Sequence, residues 1–327
     1  MANLVAGFGS SHSPMLACRL EDWLDGAFTS RDQARALVDL EGRDCRYGDA
    51  LALAPAGATT LIAPEALARR HTEMEAAVSR LRDDVDAAAL DALLIVGDDQ
   101  EELFDHRNMP AIGIYYGPTI RNARATEAKD ALGRARMRFQ EDAADVDYPC
   151  DRDLALHLIP ALAEAGFDVS AMDGPAPGQF EGHAYSWVHR FCMGSRPIPV
   201  VPIFLNAYYP PNQPSPARCF ALGQALARAV AAYPGSRRVG VIASGGLSHF
   251  LVDEAFDRAV IAALQRKDAG FFQTAPLHKL RSGSSEIRNW FCLAGATEAL
   301  DLAWVSYVPG YRTPALTGTG LCFASLR

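Results

Sequence analysis

Apolar runs and amphipathic stretches alternate along this chain. Continuous apolar segments fall at about 3–9, 91–97, 110–116, 166–171, 198–206, 237–244 and 302–308. Runs of this length without polar alternation predict strands that are covered on both faces. Between them lie helical patterns. Residues 64–84 open at Pro64 and repeat Leu67, His71, Met74, Ala77 and Leu81 on one face. Residues 151–165 follow the cap candidate Asp151 and stop at Gly166, and 215–233 open on Ser215-Pro216 and stop before Pro234-Gly235. Stretches 253–267 and 284–298 complete the set. This alternation predicts an α/β fold with a central mixed or mostly parallel sheet flanked by helices. No repeat or composition break divides the chain, so 1–327 reads as one domain. Gly/Pro-rich segments 173–182, 207–216 and 309–320 read as long loops, which in a compact domain are often functional.

Composition narrows the partners. With 49% hydrophobic and 21% charged residues the chain can bury a sizeable core. The net charge of -8, with no block of Lys or Arg, argues against nucleic acid as a partner. No apolar run reaches the roughly 18 residues of a membrane helix. The opening residues lack a basic region and do not read as a signal peptide. Seven scattered cysteines with no Cys-x-x-Cys pair suit reduced thiols and a cytoplasmic location.

Polar segments beside the strands carry the candidate chemistry. They are Ser11-His12-Ser13-Pro14, Gly97-Asp98-Asp99-Gln100, Gly182-His183 and Ser244-Gly245-Gly246-Leu247-Ser248-His249, with Ser284-Ser285-Glu286 opening a helix. In an open α/β sheet, ligands gather beyond the carboxyl ends of the strands. Histidines and a carboxylate delivered there would meet and hold a metal. Each has a plainer reading: His12 a turn or core histidine, His183 a loop histidine, His249 a helix-start histidine, and Glu286 an acidic residue favoured by a helix dipole. His249, after two glycines, suits acid/base work because its ordinary pKa lies near neutrality. No His-Glu-x-x-His, Gly-x-Ser-x-Gly or P-loop occurs, and Gly7-x-Gly9 lacks the third glycine of a dinucleotide fingerprint.

Taken in order, these segments resemble the class III extradiol ring-cleavage dioxygenases, the LigB-type family, from residue 5 to about 300. The resemblance rests on His12-Ser-Pro, Val96-Gly-Asp-Asp-Gln-Glu-Glu-Leu-Phe104, Gly182-His-Ala-Tyr-Ser-Trp187, Pro197–Asn206, Gly245-Gly-Leu-Ser-His249 and Glu286-Ile-Arg-Asn-Trp290. The Gly-Asp-Asp-Gln variant, followed by Asn108–Tyr115, looks most like the gallate and 3-O-methylgallate branch.

The resemblance implies Fe(II) held by two histidines and a glutamate, with His12 and Glu286 as matching ligands. It implies His249 as the acid/base and His183 as a second active-site histidine. Many members have a histidine where this chain has Gln100. The expected metal set is therefore His12, Gln100 and Glu286, the alternatives being that Glu101 or Glu102 takes the place of Gln100 or that metal binding is weakened or lost. Arg312 and Tyr208 are candidates to bind substrate, as are Arg288 and Tyr209. The implied reaction is extradiol cleavage of a catechol-type acid such as gallate, 3-O-methylgallate or protocatechuate with O2, by a homodimer. The competing expectation is a diverged metal-dependent C–C hydrolase on the same scaffold, motivated by Gln100. A protein that kept the fold and lost its chemistry is a third reading, disfavoured by the joint presence of His12, His183, His249 and Glu286.

Overall fold

The computed structural model describes residues 2–194 and 196–327. Nine strands form one mixed sheet: β1 Asn3–Ser10, β2 Ala92–Gly97, β3 Ile112–Tyr115, β4 Ser170–Met172, β5 Val200–Leu205, β6 Arg238–Ser244, β7 His249–Leu251, β8 Leu302–Tyr311 and β9 Thr317–Leu326. Their order is β7-β9-β1-β6-β2-β5-β3-β4, with β8 also paired to β9. The heart of the sheet, β1-β6-β2-β5, is parallel. Antiparallel β9 flanks it on one side and antiparallel β3 on the other. The α/β expectation is met.

The continuous apolar runs have the expected cause. Alternate residues of each central strand enter opposite cores. Leu94, Val96, Val241 and Ile203 pack with α2 (Arg152–Glu164), α3 (Pro216–Ala232), α4 (Glu254–Arg266) and α5 (Ile287–Ala296). Leu93, Ile95, Ile242 and Phe8 face the other way, onto α1 (Pro64–Ala87). On α1 the stripe Leu67, His71, Met74, Ala77 and Leu81 is buried. Asp151 and Ser215 cap α2 and α3 through the amides of Leu154 and Arg218. Among the described residues no helix is long and apolar enough to cross a membrane.

Segment 309–320, read from sequence as a loop, is instead the end of β8, a tight turn and the start of β9. Glycines suggested a break, but here they serve close approach. A Cβ on Gly320 would lie 1.9 Å from the Asp257 carboxylate, and one on Gly318 2.0 Å from Gly310 O. The expected strand at 166–171 shrinks to β4, with Gly166 in left-handed geometry at the end of α2. Of the two other expected loops, 173–182 contains no helix or strand, and 207–216 contains none until its last residue, Pro216, which opens α3.

Candidate active site

Four adjacent parallel strands end at one edge, and each releases a polar side chain there. His12 follows β1, Ser244 ends β6, Asp98 follows β2 and Tyr208 follows β5. Glu286 arrives as the residue before α5, and its side chain, which makes no capping bond to that helix, is left for the site. His183 begins a one-turn helix, His183–Trp187, and His249 begins β7. All line one cavity of about 380 Å³ except Ser244 and Asp98, which lie behind its wall.

The hydrogen-bond partners fix which atoms face the centre. Ser244 gives its only proton to Ala184 O at 2.7 Å, so it accepts from His12 Nδ1 at 3.1 Å. That leaves the His12 Nε2 lone pair free. Nε2 lies 3.1 Å from Glu286 Oε2 and 3.2 Å from His183 Nε2. His183 Nδ1 meets the Glu102 carboxylate at 2.8 Å, and Glu102 also accepts the His183 backbone N–H at 3.0 Å. A histidine held this way presents its other nitrogen in a set direction, as metal-ligating histidines do.

Glu286 is buried and bonded on both oxygens. Gly246 N–H donates to Oε2 at 2.7 Å, and Tyr208 O–H donates to Oε1 at 2.6 Å. His249 Nε2 stands 3.2 Å from the same Oε1. Burial opposes ionisation of Glu286, but the neighbouring His249 and His12 outweigh it and hold the carboxyl well below its usual range. Burial would lower the His249 pKa, and Glu286 reverses this and raises it. His249 Nδ1 must donate to Leu247 O at 2.9 Å, so the proton that comes and goes is the one on Nε2. His249 packs edge-on against the backbone at Gly283, where a Cβ would lie 2.1 Å from the ring.

Asp98 was not singled out among the sequence candidates. It is fully buried, its Oδ1 accepts from Asn289 Nδ2 at 3.3 Å, and its Oδ2 has no hydrogen-bond partner among the described residues. Each oxygen lies 3.8 Å from a histidine nitrogen, Oδ1 from His12 and Oδ2 from His183. Burial, then Glu286, pushes its carboxyl up to about 6. His183 is pushed up to about 10: burial works against this, but the Glu102 charge and hydrogen bond prevail. His12, Asp98 and His183 offer donor atoms all within 4.8 Å of one another.

This donor set fits a divalent cation. Two ligands about 2.1 Å from one ion and at right angles stand about 3 Å apart. The contacts of His12 with His183 and with Glu286 match that spacing. The orphaned oxygen of Asp98 is a buried acceptor in want of a positive neighbour.

Gln100 is exposed, with its amide nitrogen 3.4 Å from both His183 Nε2 and Glu286 Oε1. Its amide therefore reaches the margin of the same centre. Glu102 supports His183, and Glu101 does not line the cavity. Arg312 lines the cavity, but its guanidinium is engaged by Asp32 at 2.9 and 3.0 Å. Arg288 lies buried, bonding Pro214 O and Leu280 O, and does not reach the cavity. Tyr209 does not line it either.

A parallel-stranded sheet edge that gathers histidines and a buried glutamate makes a candidate metal site in an α/β protein. Residues 139–321 match the family described as the catalytic LigB subunit of aromatic ring-opening dioxygenase, and the chain belongs to that family. Dioxygenases of this family are metal-dependent. A segment is also similar to gallate dioxygenase of Pseudomonas putida, 41% identical over 58 residues. That segment spans 18% of this chain and 17% of the relative's length. His183, His249 and Glu286 fall inside the family match, and His12, Asp98 and Gln100 precede it.

Proposed function

We propose that this chain is a non-haem Fe(II) extradiol dioxygenase acting on a catechol-type aromatic acid, of the kind exemplified by gallate, 3-O-methylgallate or protocatechuate. The observation that carries the reading is His12 Nε2 lying 3.2 Å from His183 Nε2 and 3.1 Å from Glu286 Oε2, with the unpartnered Asp98 oxygen behind it. We assign the iron to His12, His183 and Glu286, two imidazoles and a carboxylate, with Gln100 at the edge of the same centre. Fe(II), when bound, supplies the chemistry that activates dioxygen and draws the ring hydroxyls toward ionisation.

The chain's own residues do the rest. His249 Nε2 accepts a proton from a ring hydroxyl as substrate binds and returns it as the ring opens. Glu286 keeps that imidazole basic through the 3.2 Å contact. Tyr208 O–H, 2.6 Å from Glu286 and 3.4 Å from His249 Nε2, orients both groups. Phe28, Phe139, Phe180 and Phe250 line the cavity and exclude water from the ring faces. The carbon–carbon bond beside the two hydroxyls breaks, and both atoms of O2 enter the product.

We further infer that the 327 residues act as one catalytic domain, working as a homodimer. Seven free cysteines, five of them buried, support a reducing compartment such as the cytoplasm. Oxygen uptake by the Fe(II)-loaded protein with gallate and with 3,4-dihydroxybenzoate tests the reading. Stoichiometric uptake with formation of a ring-opened product is expected. Carbon–carbon cleavage without oxygen uptake would replace it with the hydrolase reading.

A further inference from the structure

One wall of the cavity carries two arginines with no ion-pair partner among the described residues. Arg31 and Arg35 stand four residues apart on and just after the short helix Thr29–Ala34, so they share one face. Both are half-buried and both line the cavity. Among the described residues, neither makes an ion pair or a side-chain hydrogen bond. The nearest acid in sequence, Asp32, is fully committed elsewhere: it takes both arms of Arg312 and the hydroxyl of Thr317. Arg35 lies over the ring of Phe250, the residue after His249. The positive wall therefore adjoins the acid/base histidine rather than the protein surface.

Half-burying two arginines without a counter-ion is unfavourable. Burial lowers the pKa of both; Arg136 and then Arg312 add to the effect on Arg31, Arg31 and then Arg312 add to that on Arg35, and Asp32 offsets part of it in each. A planar guanidinium matches a carboxylate with two parallel hydrogen bonds. Phe28, Phe139, Phe180 and Phe250 line the same cavity as the arginines and the histidine–glutamate cluster. Such a lining suits a flat aromatic that carries both hydroxyls and an anionic group.

Building on the ring-opening reading, we infer that Arg31 and Arg35 are the receptor for the substrate's carboxylate and make the enzyme selective for ring acids over neutral catechols. Arg312, saturated by Asp32, positions the helix that carries them.

The test compares 3,4-dihydroxybenzoate with its carboxamide, which has the same ring and diol but no charge. Affinities are measured by calorimetry under nitrogen on the purified full chain, so no turnover is needed. Wild-type protein is expected to prefer the acid by about thirty-fold or more, the scale of one charge-assisted hydrogen bond lost. Arg35→Gln and Arg31→Gln are each expected to weaken the acid at least ten-fold and to shrink the preference, while Arg35→Lys recovers part of it. Equal affinity for acid and amide in the wild type would overturn the inference, and that arm does not depend on any variant folding. A preference untouched in both Gln variants would overturn it too. Oxygen uptake is read separately. Its absence alongside an intact acid preference sinks the ring-opening reading and leaves the arginine receptor standing, and oxygen uptake with no acid preference does the reverse.

Discussion

The two ends of the cavity are built on opposite principles. At the metal-ligating end every nitrogen that faces away from the centre has a fixed partner: Ser244 for His12, Glu102 for His183, Leu247 O for His249. His12 follows a central strand, His183 and Glu286 stand at helix starts, and Glu286 is 1% exposed. At the arginine end the charged groups have no partner and ride on a six-residue helix outside the sheet. The first end is organised before any ligand arrives, whereas the second is left for the ligand to complete. Chemistry demands fixed geometry, and recognition of an anion demands a charge kept available.

The largest expected effect breaks the first end. Glu286→Gln removes the only charged ligand proposed and leaves His249 with a neutral amide in place of its charged acceptor. Elemental analysis should find iron content close to zero, and oxygen uptake should fall by about 10³-fold or more. Full iron occupancy in this variant would take the ion away from Glu286. His249→Phe comes next. It should retain iron and lose about 10²- to 10⁴-fold in turnover, the usual range for a proton-transfer group. Ring cleavage near the wild-type rate would remove His249 from the proton path. Glu102→Gln tests the supporting layer: loss of the partner at His183 Nδ1 should weaken iron binding by about 10- to 100-fold, read by competition with a chelator. Unchanged affinity would mean that His183 needs no orientation from Glu102.

The contrast also explains what could be read from sequence. The parallel core was legible because helices on both sides leave β2, β5 and β6 apolar along their whole length. His12, His183, His249 and Glu286 were legible because each stands beside such a strand or at a helix start, and the structure brings these four together. Asp98 stands in the same Gly-Asp-Asp-Gln turn as Gln100, and nothing in the sequence separates it from Asp99 beside it. Only burial reveals that Asp98 has an oxygen with nothing to bond. Strand β9 was missed because its glycines look like breaks until Asp257 is seen pressed against Gly320. Arg31 and Arg35 carried no motif, only a four-residue spacing. Arg312 looked equally suitable, and its pairing with Asp32 spans 280 positions.

Asp257 sharpens the same comparison by its response to pH. It lies under the loop that carries His249, accepting from Ser248 N–H at 2.9 Å, Ser248 O–H at 2.7 Å and Tyr307 O–H at 2.7 Å. Burial outweighs these bonds and pushes its carboxyl from 3.8 up to about 7. The folded state therefore holds a proton that the unfolded chain has already released. Its contribution is fully present below about pH 4 and is lost as pH rises toward 7. Asp257→Asn should flatten this part of the stability profile, changing the difference between pH 5 and pH 7.5 by on the order of 2 kcal/mol. Parallel profiles for the two proteins would show that the three hydrogen bonds win over burial.

The smallest effect falls at the arginine end and should have the opposite sign. Every substitution at the metal-ligating end removes a partner and leaves another buried group stranded, which costs stability. Arg31 has no partner to strand. Arg31→Gln relieves the repulsion from Arg136 and Arg312 and returns a desolvated charge's cost to the fold. The variant should unfold at the same temperature as wild type or slightly above it, a gain of about 0–1 kcal/mol, while its hold on a ring acid weakens. Thermal unfolding measured without ligand decides the point. A clear loss of stability would mean that Arg31 is a structural residue after all, bound into the fold by contacts that matter more than its charge.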